Sequence, residues 1–90
     1  LILFRQVLGQ ELRRIREDQN KTLRGVGSDA RLSMGYISEV ERGKKEISSE
    51  LLYCLCDALD TPLSKVLTSV ASEYDKEKQR VQELMSMSFA

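Results

Sequence analysis

The sequence predicts an all-α fold, a bundle of five helices followed by a C-terminal helix. Three observations carry this. Apolar residues recur at spacings of three and four along most of the chain, as they do in helices that bury one face. Hydroxyl residues stand just ahead of several of these stretches, where they can accept from the orphan N–H groups of a helix start. One Pro and five Gly in 90 residues leave few forced breaks.

Phe4, Val7, Leu8, Leu12 and Ile15 share one face of a helix over residues 4–18, and Arg13, Arg14, Glu17 and Asp18 lie outside that stripe. Asn20 is a natural stop. Thr22 caps a short second helix from Leu23 to Ala30, which buries Val26 and Ala30. Gly25 and Gly27 lie inside it, each costing about 0.8–1 kcal/mol relative to Ala; close packing against another helix is the reason the sequence offers. Ser33 caps a third helix from Met34 to Glu41. Ile37 and Val40 face the core there with Leu32, and Gly43 ends the helix in the left-handed region. Lys44 and Lys45 form a basic loop.

Ser48 or Ser49 caps a fourth helix, with Glu50 favourable in its first turn. Its apolar stripe is Leu51, Leu52, Leu55, Cys56 and Leu59. Thr61 caps a fifth, Pro62 suits its first position, and Leu63, Val66 and Leu67 face inward. From Val70 the pattern thins. Residues 72–83 are mostly charged or polar, with Val70, Tyr74, Val81 and Leu84 spread along them. Such a stripe suits a helix that pairs with a second copy, or an arm. The chain thus divides into a domain over residues 1–68 and a C-terminal helix over 69–90.

Several classes fall away on composition. No apolar run approaches the roughly 18 residues of a membrane helix. Residues 1–4 are too short for a signal-peptide core, and Arg5 follows at once. The chain is expected to be cytoplasmic. Cys54 and Cys56 point to nearly opposite sides of a helix and read as two small apolar fillers. There is no His, no metal-ligand cluster and no nucleophile with an evident base, so neither an enzyme nor a cofactor is expected.

Net charge is zero, but its distribution is not even: residues 1–46 hold ten Lys/Arg and seven Asp/Glu, residues 47–90 four and seven. A basic first half suits nucleic acid at one end of the molecule.

The informative stretch runs from Thr22 to Gly43. A short helix, a break at Arg31-Leu32-Ser33 and a second capped helix make a helix-turn-helix, a motif that sets the start of its second helix into the DNA major groove. Thr22-Leu23-Arg24, Ala30, Leu32-Ser33 and above all Gly35-Tyr36-Ile37-Ser38-Glu39-Val40-Glu41-Arg42-Gly43 resemble the phage-repressor-like (xenobiotic-response-element) regulators. Lys45-Glu46, Ser48-Ser49-Glu50-Leu51-Leu52 and Cys56-Asp57-Ala58-Leu59 are similar to the actinobacterial Clp protease gene regulator branch. The resemblance covers residues 8–67.

It implies a DNA-binding transcription regulator, homodimeric on a palindromic operator and associated with the nucleoid, with protease genes among its targets. Met34, Gly35, Ser38 and Glu39 would read bases. Thr22, Arg24, Ser33, Tyr36, Lys44 and Lys45 would hold the phosphate backbone. Arg16 and Glu41 would tie the first helix to the third, and Val70, Tyr74, Val81 and Leu84 would join two subunits. In that branch the tail also suggests a degradation signal, here residues 86–90.

Three positions depart from the pattern. Ile47 stands where many members have Pro. Arg31 replaces a common turn Gly, so a left-handed backbone there would be strained. Leu23 replaces a Gln that grips phosphate, which shifts that contact to Thr22 or Arg24. The zero net charge, the acidic second half and Leu23 also fit a second class, a protein-interaction module, either antitoxin-like or a repressor-like domain that does not bind DNA. Salt dependence separates the two, since DNA binding weakens steeply with salt.

Overall fold

The computed structural model describes residues 2–88. Its helices are α1 (Phe4–Asp18), α2 (Leu23–Ala30), α3 (Met34–Glu41), α4 (Ser49–Ala58) and α5 (Leu63–Ser88). Three starts are set by hydroxyl caps: Thr22 accepts from Gly25 N–H, Ser33 from Tyr36 N–H and Ser48 from Leu51 N–H.

α1 packs on α3 and α5, and α2 packs on α3 and α4. Leu12, Val26, Ile37, Val40, Leu55, Leu59 and Val66 are almost wholly removed from water where these helices meet. Each such side chain stabilises the fold by roughly 1.5–3 kcal/mol. The turn between α1 and α2 also closes the end of α4. Gln19 Nε2 donates to Leu59 O at 2.6 Å, and Lys21 Nζ reaches Ala58 O at 2.9 Å and the Asp60 carboxylate at 3.1 Å. A cation beside orphan helix-end carbonyls is favourable.

Gly27 has a physical account. A Cβ built there would lie 2.7 Å from Leu32 O, so only Gly lets the turn after α2 fold back on that helix. Gly43 lies at φ 71°, and Arg31, Asn20 and Asp60 also have positive φ.

Five expectations are corrected. Phe4 is 47% exposed and Leu67 is 43% exposed. Phe4 sits in the first turn of α1, at the rim of a cleft it lines with Leu8, Ile47 and Leu52. The buried stripe of α5 instead runs Val66, Val70 and on to Tyr74, a spacing of four that leaves Leu67 to one side. Cys54 is exposed while Cys56 is buried, so only one of the two is a filler. Thr61 does not cap α5: its hydroxyl donates to Leu59 O at 2.8 Å. Pro62 stands one residue outside the helix, and its carbonyl accepts from Lys65 and Val66.

The fifth helix and the C-terminal helix are one continuous element, and the boundary between residues 68 and 69 lies inside it. No Gly or Pro interrupts residues 63–88. The far end of α5 projects from the bundle, which is why the molecule spans 53 Å in one direction and 24 and 22 Å in the others. Of the proposed degradation signal, Phe89 and Ala90 lie outside the described residues.

Candidate nucleic-acid interface

The surface around the start of α3 is built on a rigid back. Arg16 Nε and Nη2 donate to the two Glu41 oxygens at 2.7 and 3.0 Å, and its Nη1 donates to Lys21 O at 2.9 Å. One guanidinium therefore ties α1 to the last turn of α3 and to the lead-in of α2. The fork matches the carboxylate, and both side chains are largely buried. The hydrogen bond to Glu41 raises the Arg16 pKa against the opposing effect of burial, so the guanidinium stays charged.

Gly9 lets α3 come this close. A Cβ there would lie 2.3 Å from Val40 O and 2.7 Å from Glu41 O. Nothing local in the sequence marks this glycine; only the crossing of two helices does. Arg5 is equally unmarked in the sequence. Its Nε donates to Gly43 O at 3.0 Å and its Nη1 reaches Glu46 at 3.3 Å, which anchors the loop after α3 to α1.

On the outer side, Met34 is 43% exposed, and Gly35 has no heavy atom within 4 Å of where a Cβ would stand. Ser38 and Glu39 follow on α3, half-buried. Ser33 and Thr22 use an oxygen lone pair for their caps, which leaves each hydroxyl proton available to an acceptor outside. The N–H groups of the first turn of α3 and its helix dipole favour an anion at the same place.

Exposed cations stand on the elements before and after α3. Arg24, Arg31 and Lys44 are exposed, and their side chains have no partner among the described residues. Arg31 holds a left-handed backbone, φ 59° and ψ 41°, at the end of α2, a conformation costing roughly 1–2 kcal/mol for a residue with a Cβ. Lys45 is placed differently from its neighbour. Its Nζ lies 3.3 Å from Glu39 Oε2 and 5.9 Å from the centre of the Tyr36 ring. The Tyr36 hydroxyl donates to Glu46 O at 3.3 Å. The structure thus brings Thr22, Arg24, Ser33, Met34, Gly35, Tyr36, Ser38, Glu39, Lys44 and Lys45 to the elements of one motif.

The residues expected to join subunits divide. Val70 is 3% exposed and part of the core, so a second copy cannot reach it. Tyr74 packs against the core, and its hydroxyl donates to Ile2 O at 3.3 Å. Both serve the chain's own packing. Val81 and Leu84 are 44% and 57% exposed on the projecting part of α5, beside Met85 at 57%. Among the described residues no group of His, Cys, Asp and Glu could hold a metal, and no helix is long and apolar enough to cross a membrane.

Comparison with known proteins agrees with this geometry. Residues 7–67 match the family described as the helix-turn-helix domain. The chain is similar to the transcriptional regulator ClgR of Mycobacterium tuberculosis, 48% identical over 77 residues that cover 86% of this chain and 69% of that protein. Among solved structures it is similar to the clp gene regulator ClgR from Corynebacterium glutamicum: TM-score 0.82, 38% identity, 97% of this chain and 95% of that one covered. It also shares its fold with a restriction-modification controller protein solved as a tetramer in complex with its natural 35 base-pair operator. That likeness has a TM-score of 0.69 at 15% identity and covers 79% and 99% of the two chains.

Proposed function

The chain belongs to the helix-turn-helix domain family and to the ClgR-like regulators within it, and from that premise we propose that it controls clp genes as a homodimer on a twofold operator. It is a DNA-binding transcription regulator and not an enzyme. The observation that carries the reading is the start of α3. It is exposed, capped by Ser33, flanked in the chain by the cations Arg31 and Lys44, which have no partner among the described residues, and held from behind by Arg16 and Glu41.

In this reading Met34 lies on a thymine methyl and Glu39 accepts from a cytosine amino group. Gly35 lets the backbone approach the bases, and Ser38 completes the reading surface. Thr22, Arg24, Ser33 and Lys44 hold phosphates, whereas the Tyr36 hydroxyl spends its one proton on Glu46 O and braces the loop; Lys44 and Arg24 act as charges that release counterions. Two copies place their α3 helices one DNA turn apart, about 34 Å, which calls for a palindromic site. Val81, Leu84 and Met85 fall at spacings of three and four on one face of α5 and form the subunit contact. The DNA contacts lie within residues 1–68, and the pairing surface lies on α5 past Tyr74. A regulator at work on chromosomal DNA sits with the nucleoid in the cytoplasm.

Titration onto labelled clp promoter fragments and selected palindromes at several salt concentrations tests this. Tight binding to a preferred site with a steep salt slope is expected, and Lys44→Ala should weaken binding to all sequences and reduce the slope by about 0.9. Binding that is flat with salt and without sequence preference would overturn the reading.

A further inference from the structure

We propose that Lys45 is a positioning residue for Glu39, and so sets base preference, whereas its neighbour Lys44 anchors phosphate. The inference rests on the reading of α3 as the helix that meets DNA. Two adjacent lysines with the same charge would be interchangeable in a simple basic loop. Here they are not. Lys44 is exposed with no side-chain partner among the described residues, whereas Lys45 Nζ lies 3.3 Å from Glu39 Oε2 and over the Tyr36 ring at 5.9 Å.

The loop is tied to α3 by its backbone as well. Lys44 N–H donates to Glu39 O at 2.9 Å, and the Tyr36 hydroxyl donates to Glu46 O at 3.3 Å. Lys45 is thus delivered to Glu39 by the fold, across the end of the helix. It is not one of the three- or four-residue pairs that any helix surface offers.

Electrostatics give the pair a purpose. A bare carboxylate on a DNA-reading helix approaches a polyanion and is repelled. An ammonium on one carboxylate oxygen offsets that repulsion and leaves lone pairs to accept from a base amino group. In the free protein both side chains are partly exposed, 53% for Lys45 and 38% for Glu39, and water screens their attraction. Against DNA the water is displaced and the same pair attracts more strongly. Lys45 therefore acts through Glu39, by fixing the direction in which the carboxylate points.

The test compares wild type, Lys44→Ala, Lys45→Ala, Lys45→Arg, Glu39→Gln and the double variant Lys45→Ala/Glu39→Gln. Each is titrated onto the preferred operator and onto operators with single base pairs exchanged, at fixed salt, after thermal unfolding has shown that it folds. Lys45→Ala should reduce discrimination about 5- to 10-fold at one base pair, the same pair at which Glu39→Gln changes preference. The double variant should discriminate no worse there than either single variant, because the two residues act as a unit. Lys45→Arg should restore most of the preference. Lys44→Ala should weaken all operators alike. If Lys45→Ala also weakens all operators alike, and its effect adds to that of Glu39→Gln, the proposal is wrong while the regulator reading stands. If wild type prefers no sequence, the regulator reading fails first and the proposal falls with it.

Discussion

α3 and the projecting end of α5 both face solvent, yet they are held in opposite ways. α3 is eight residues long, too short to be stable alone. It is fixed from behind by the Arg16–Glu41 fork, by the close approach that Gly9 permits and by Ile37 and Val40 in the core. The end of α5 is longer, and past Tyr74 it has no further buried residue up to Met87. Its side-chain contacts there include exposed local pairs such as Lys76–Glu73 and Gln79–Glu83. A surface that reads another molecule's shape benefits from rigidity before contact. A surface that pairs with a copy of itself can be completed by that copy. The short helix is the more firmly placed because tertiary contacts, not length, decide.

Stability measurements sharpen that contrast. Glu41→Ala leaves the Arg16 guanidinium without its buried partner, and breaking such a pair costs about 3–5 kcal/mol. For a domain of this size the unfolding midpoint should drop by roughly 12 °C or more. A drop of only a few degrees would mean that α3 is not held by the fork. Arg31→Gly acts on the same region with the opposite sign. It relieves the left-handed strain but loosens the unfolded chain, for a net gain of about 0.5–1 kcal/mol; an unchanged or lower midpoint would show that Arg31 is not strained. Smallest on this scale is Val81→Asp with Met85→Asp. In dilute protein the pair should shift stability by no more than about 0.5 kcal/mol, while sedimentation at higher concentration should show self-association lost. Destabilisation of the dilute monomer would instead make the end of α5 part of the fold.

The sequence was most legible where a signal is local. Thr22, Ser33 and Ser48 mark helix starts because each hydroxyl can reach an orphan N–H three residues on; Thr61 looks the same in sequence but turns to Leu59 O instead. The Arg16–Glu41 pairing was legible only through family resemblance, since 25 residues separate the partners. What remained hidden depends on distance in space. Nothing adjacent to Gly9 or Arg5 announces the carbonyls they meet. Periodicity placed Phe4 and Leu67 inside because it counts spacing and not what stands opposite. The thin stripe around Val70 and Tyr74 suggests a partner, but the bundle itself takes up those two positions. The division of labour between Lys44 and Lys45 has no sequence mark at all, since it arises where the loop folds back on α3.

The continuity of α5 has a consequence for how its amides meet solvent. Near Val66 and Val70, which are 0% and 3% exposed, an N–H can exchange its hydrogen only when the bundle opens as a whole. Toward Met87, where the side chains are exposed, the same ladder of hydrogen bonds opens locally, and exchange there requires no global unfolding. One helix would therefore carry two exchange regimes, slow at its root and fast at its tip, and docking of a second subunit would register as the slow regime advancing outward turn by turn.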